Sequence, residues 1–99
     1  MLKSNSWSPL AVTDFENILN YLNENWDEKV VLRFIKETET LLFNISKQPK
    51  QFPLVNKKIK VCKCVISKHN TLFYQENKEY IALLRIFDTR QNPKKSKIK

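Results

Sequence analysis

Three runs decide the fold: KVCKCVIS at residues 60–67, TLFYQ at 71–75 and YIALLRIF at 80–87. Each is short, rich in β-branched or aromatic side chains and bounded by polar residues, which is how a strand reads in sequence. The breaks between them, Lys68-His69-Asn70 and Asn77-Lys78, are short enough for hairpins. The chain contains no glycine, so the asparagines are expected at the left-handed turn positions. The last run is apolar on both faces, which predicts a strand that is central or covered on both sides.

Upstream of these runs the apolar period is that of a helix. Trp7-Ser8-Pro9 reads as a helix start, with Ser8 as N-cap, Pro9 at the first helical position, and Trp7 placed to staple onto Val12. Ala11, Phe15, Ile18 and Leu22 then recur at helical spacing, with Asp14, Glu16, Asn17 and Asn20 expected to face water, and the helix is expected to end near Asn25. Trp26-Asp27 repeats the device: Asp27 caps, Glu28 sits in the positive first turn, and Trp26 is placed to pack on Val31. The second stripe is Val31, Phe34, Ile35, Thr38, Leu41, Leu42 and Ile45, and it stops before Pro49, which steers Gln48 out of the helical region. So short a link makes the two helices an antiparallel hairpin.

Residues 51–58 read as a connector, and Leu2 to Ser6 as a short first strand. The fold class is therefore α+β, an N-terminal helical hairpin packed on one face of an antiparallel sheet, in the order (β)ααβββ. Residues 1–99 are expected to form a single domain with a basic tail from about residue 94, since one core usually serves about 100–200 residues.

Composition narrows the function. Without glycine there is no phosphate-cradling loop, no dinucleotide fingerprint and no nucleophile elbow, so no nucleotide or other small-molecule cofactor is expected. The charge is lopsided: residues 1–50 carry six Lys and Arg against seven Asp and Glu, whereas residues 51–99 carry twelve against three. A surface of one sign attracts nucleic acid, anionic lipid or an acidic protein segment. No apolar run approaches the roughly 20 residues of a membrane span, and Met1 to Ser8 lacks the apolar centre of a signal peptide, so a cytoplasmic protein without a membrane partner is expected. Cys62 and Cys64, two apart on one strand, are ill placed for a disulfide and are expected as free thiols. With His69 they make three soft ligands at spacings unlike a structural zinc site, so they read as core thiols and no metal is expected. His69 itself reads as a surface turn residue. Phe73, Tyr74, Tyr80 and Phe87 read partly as core and partly as a surface for stacking bases.

Trp7-Ser8-Pro9 with Ala11 and Asp14, the helical hairpin, Pro49, Leu72-Phe73-Tyr74, and the segment from Leu84 to Pro93 (LRIFDTRQNP) together resemble the ParE/RelE superfamily of toxins from type II toxin-antitoxin modules. The resemblance spans residues 7–93. It implies a growth-inhibiting, plasmid-stabilising toxin with a cognate antitoxin as partner, and one of two targets: DNA gyrase for the ParE type, or mRNA on the ribosome for the RelE type. RelE-type endonucleases resemble one another in basic residues on the sheet and a C-terminal tyrosine or histidine, which together move protons and stabilise charge at the scissile phosphate. At the matching positions this chain has Cys62, Cys64 and Thr71, and no Tyr or His follows Arg90. The ParE type is therefore preferred, with no catalytic residue assigned, although Asp88 stands where ParE toxins often carry a histidine. An endonuclease with a substituted active site and a small nucleic-acid-binding module remain the alternatives. Arg85, Arg90, Lys94 and Lys95 are the expected target-binding residues, and Lys57, Lys58, Lys60 and Lys63 the expected antitoxin-binding residues.

Overall fold

The structure, a computed structural model, describes residues 3–88. Strand β1 (Ser4–Trp7) leads into helices α1 (Pro9–Asn25) and α2 (Glu28–Lys47). A 3-10 turn at Pro49–Gln51 is followed by β2 (Leu54–Asn56), β3 (Val61–Ser67), β4 (Asn70–Glu76) and β5 (Tyr80–Asp88). The strands form one sheet in the order β1-β5-β4-β3-β2. The pairs from β2 to β5 are antiparallel and β1 runs parallel to β5, so the sheet is mixed. The parallel pair follows from the connection: the whole helical hairpin and three strands intervene, which frees β1 from hairpin geometry. β5 is interior, as its two-sided apolarity requires. The fifth strand, β2, lies in what reads as connector, because three exposed residues give no periodic signal.

Both helices start as their sequences dictate. Ser8 Oγ accepts the Ala11 N–H at 3.0 Å and Asp27 Oδ1 accepts the Val30 N–H at 3.1 Å. The stripes Ala11, Ile18, Leu22 on α1 and Phe34, Thr38, Leu42, Ile45 on α2 are buried against Cys62, Cys64, Leu72, Tyr74, Ile81, Leu83 and Ile86 of the sheet. Thr38 is tolerated there because its hydroxyl donates to the Phe34 carbonyl at 2.8 Å. Burial stabilises Phe34 further through a stack on Phe15, with ring centroids 5.6 Å apart.

Local expectations that fail do so for tertiary reasons. Val12 is exposed, and the ring contact of Trp7 is an edge on Phe15 at 5.2 Å, because pairing β1 with β5 turns Trp7 towards the core. Trp26 is 55% exposed at the tip of the hairpin. No asparagine among the described residues takes a left-handed conformation; the positive φ belongs to Lys60, at 58°. Asn56 stays in β2 instead, where its side-chain oxygen accepts the N–H groups of Lys58 and Ile59 and closes the turn that brings β2 back onto β3. Asp14, expected in water, is drawn into the structure by β5.

Candidate functional site

α1 begins where β1 ends, and that junction builds the site. β1 covers the edge of β5 only from Tyr80 to Leu83, so the backbone groups beyond are left open. Ser8 and Asp14 satisfy them. The Ser8 N–H donates to the Leu83 carbonyl at 3.0 Å, and its hydroxyl donates to the Leu84 carbonyl at 2.9 Å while still capping α1. Asp14 Oδ2 accepts the Ile86 N–H at 2.9 Å. The same carboxylate holds Arg85 by a fork, Nε to Oδ2 at 2.7 Å and Nη2 to Oδ1 at 3.1 Å. These bonds hold the Arg85 pKa above its ordinary value.

A β-bulge aims Arg85. Phe73 pairs with Arg85 and Tyr74 with Leu83, so Leu84 is an extra residue in β5. Strict alternation would put Arg85 on the face of Ile81 and Leu83, under the helices. The bulge reverses the alternation, sends Ile86 into the core and turns Arg85 to the helix-free face.

Register places the rest of that face in rows. Lys63, Phe73 and Arg85 are cross-strand neighbours on β3, β4 and β5, and Val65, Thr71 and Phe87 form the adjacent row. Phe73 and Phe87 meet edge to face with centroids 5.5 Å apart, and the Arg85 guanidinium lies 4.8 Å from the centre of Phe87. Ser4, Ser6 and Tyr80 continue the face towards β1, by pairing Ser4 with Tyr80 and Ser6 with Ala82. At the opposite margin the residues from Leu54 to Lys60 are exposed, and Leu54, Val55 and Ile59 present apolar side chains among Lys57, Lys58 and Lys60.

The face thus brings together Lys63 and Arg85, which lie 22 residues apart in the sequence. Lys63 and Arg85 flank Phe73 in one row, and Lys57, Lys58 and Lys60 stand along the neighbouring edge. Arg90, Lys94 and Lys95 lie outside the described residues. Asp14 is the site residue that sequence reasoning missed: its position beside the apolar stripe looks solvated, and only the open edge of β5 gives it partners. Thr71 lies on the helix-free face, whereas Cys62 and Cys64 turn their thiols into the core. Burial and the neighbouring Cys62 push the Cys64 thiol up to about 12. Tyr74 is also core, its hydroxyl donating to the Pro49 carbonyl at 2.7 Å, and burial raises its pKa. His69 is half-buried in the β3–β4 turn.

Solved structures share the fold. The chromosomal ParDE toxin-antitoxin system from P. aeruginosa superposes with a TM-score of 0.73 at 13% identity, over 88% of this chain and 96% of the other. The YoeB-YefM complex from Staphylococcus aureus gives 0.59 at 16%, over 87% and 95%. The E. coli DinJ-YafQ toxin-antitoxin complex gives 0.58 at 15%, over 91% and 96%. At these identities the likeness establishes the fold. No curated protein matches the chain. The family model of the ParE toxin of the type II toxin-antitoxin system parDE matches residues 6–93, which takes in the end of β1, both helices, strands β2 to β5 and the Ser8-Asp14-Arg85 junction. The chain belongs to the ParE toxin family of type II toxin-antitoxin systems.

Proposed function

We propose that this protein is the growth-inhibiting toxin of a type II module, acts by binding a macromolecular target, and is neutralised by a cognate antitoxin. Family membership over residues 6–93 is the observation that carries the reading. DNA gyrase is the target favoured, because the positions that would carry RelE-type cations hold two core cysteines and a threonine. A bound gyrase would place the protein in the cytoplasm, and among the described residues no helix is long and apolar enough to cross a membrane.

The two roles divide the basic half. Lys57, Lys58, Lys60 and Lys63 receive carboxylates of the antitoxin, whose apolar side chains cover Leu54, Val55 and Ile59 along the β2 edge. Arg85, Arg90, Lys94 and Lys95 meet the target; arginine's planar fork suits phosphate or carboxylate, so Arg90 matters more than either lysine. Induction of the wild-type chain is expected to arrest growth, Arg90→Ala at matched expression to relieve it, and purified protein to inhibit gyrase supercoiling without cleaving mRNA on programmed ribosomes. Cleavage with gyrase unaffected would replace this reading by the endonuclease one, and equal toxicity of Arg90→Ala would remove Arg90 from the site.

A further inference from the structure

We propose that two copies of this chain associate through the outer face of α2, helix against antiparallel helix, about a two-fold axis that passes between Glu37 and Thr38. The inference is independent of which target the toxin poisons. It rests on a second stripe along α2, distinct from the buried one. Glu28, Leu32, Lys36, Glu39, Phe43 and Lys47 are all exposed, and at about 100° per residue they fall within a sector of about 100° around the helix. Leu32 and Phe43 are 57% and 52% exposed. Among the described residues no ion pair engages Glu28, Lys36 or Glu39, and Lys47 Nζ lies over the Phe43 ring, 5.3 Å from its centroid.

The order of these residues is self-complementary. An axis at that midpoint brings Leu32 opposite Phe43 of the second copy, Lys36 opposite Glu39, and Glu28 opposite Lys47. Each contact occurs twice, because one patch serves both copies. Direction and register are both specified. A parallel pair would set each residue beside its own copy, lysine on lysine and glutamate on glutamate. Sliding the antiparallel pair by one turn sets Leu32 and Phe43 against Lys47 and Lys36 in one direction, and against Glu39 and Glu28 in the other. The two kinds of contact act differently. Solvated ion pairs add little affinity but fix the alignment. Leucine on phenylalanine supplies apolar burial, and covering the ring strengthens the Lys47 contact by removing water from it. One helix of 20 residues offers a strip about 30 Å long and 10 Å wide, well under the roughly 800 Å² per partner of a standard interface, so the dimer is weak and reversible. Because the buried stripe of α2 packs on the sheet, the helix-free face and the β2 edge stay open in both copies.

Sedimentation equilibrium of the full-length protein from about 1 to 500 µM tests this, and a monomer–dimer equilibrium is expected in that range. Lys36→Glu and Glu39→Lys each set like charges together on both sides of the axis, and each is expected to weaken self-association at least tenfold. Mixed one to one, the two variants are expected to regain the wild-type affinity as a heterodimer, and the doubly substituted chain to regain it with itself. Mixing would not repair a fold damaged by either substitution. A chain that stays monomeric throughout the range would overturn the proposal and leave this face to a different partner. So would a dimer that both single variants keep intact, which would use another surface such as the β2 edge. Failure of mixing to restore the affinity would likewise refute the antiparallel alignment on which the proposal stands.

Discussion

Removing the Asp14 carboxylate tests the junction on which the site depends. Asp14→Ala deletes three hydrogen bonds at once, two from Arg85 and one from the Ile86 amide. They are not equal. The Arg85 side chain is 38% exposed, so water replaces much of what Asp14 supplies, and that pair contributes about 1 kcal/mol or less. The Ile86 amide lies on an edge that no strand among the described residues covers beyond Leu83, beneath a carboxylate only 13% exposed. Stripping the partner from such a group costs about 1–3 kcal/mol. The expected sum centres on about 2–3 kcal/mol, and at about 4–8 °C per kcal/mol for a domain of this size the melting point should fall by about 8–24 °C. Asp14→Asn keeps an oxygen for the amide and is expected to lose about 1 kcal/mol. Urea denaturation of Asp14→Ala, Arg85→Met and the double variant separates the contributions, with a coupling energy of about 1 kcal/mol or less assigned to the ion pair. A loss below about 0.5 kcal/mol for Asp14→Ala would show that water satisfies the Ile86 amide equally well, and the account of the open β5 edge would be wrong.

Phe34→Ala should cost about 3–5 kcal/mol, since Phe34 is buried in mid-stripe and stacks on Phe15; an unchanged unfolding midpoint would mean that this face of α2 is not the packed one. The pair between Lys3 Nζ and Glu76 Oε2, at 2.8 Å, lowers the Glu76 pKa through its hydrogen bond. Its stabilisation is therefore complete above the ordinary glutamate value of about 4.3 and is lost as pH falls through the lowered folded value, so Glu76→Gln should flatten the acid limb of the stability profile. Should the acid limbs of wild type and variant superpose, the pair contributes nothing measurable. With its thiol pushed up to about 12 and buried, Cys64 should resist alkylation at pH 8 in the folded state and react promptly in urea; rapid native-state labelling would place it outside the core.

Much of the architecture was legible because it depends on local chemistry. The stripes Ala11-Ile18-Leu22 and Phe34-Thr38-Leu42-Ile45 repeat at 3.6 residues, and Ser8 and Asp27 announce their helices by side chains that reach only three residues on. Three strands and the two hairpin turns follow from β-branched runs broken by polar residues. β2 was not legible, since three exposed residues carry no period and become a strand only because β3 offers an edge. The lysines were legible as charge and not as a surface, because composition says how many there are and register says which share a face.

Neighbours along the chain are enough to specify the order of β1, the two helices and β3 to β5, the two caps, the apolar stripes and the excess of positive charge after residue 50. Tertiary structure decided where Arg85 points. Read with a period of two, the residues from Ile81 onward put Arg85 beside Leu83 under the helices. One bulged residue, Leu84, inverts the phase, and it is held by groups more than 70 residues away: the Ser8 hydroxyl on the Leu84 carbonyl and the Asp14 carboxylate on the Ile86 amide. Pattern along a strand cannot record a phase shift whose partners lie on another element. The hydrogen bonds that hold Leu84 out of step exist only once β1 has paired with β5 and delivered α1 to the open edge.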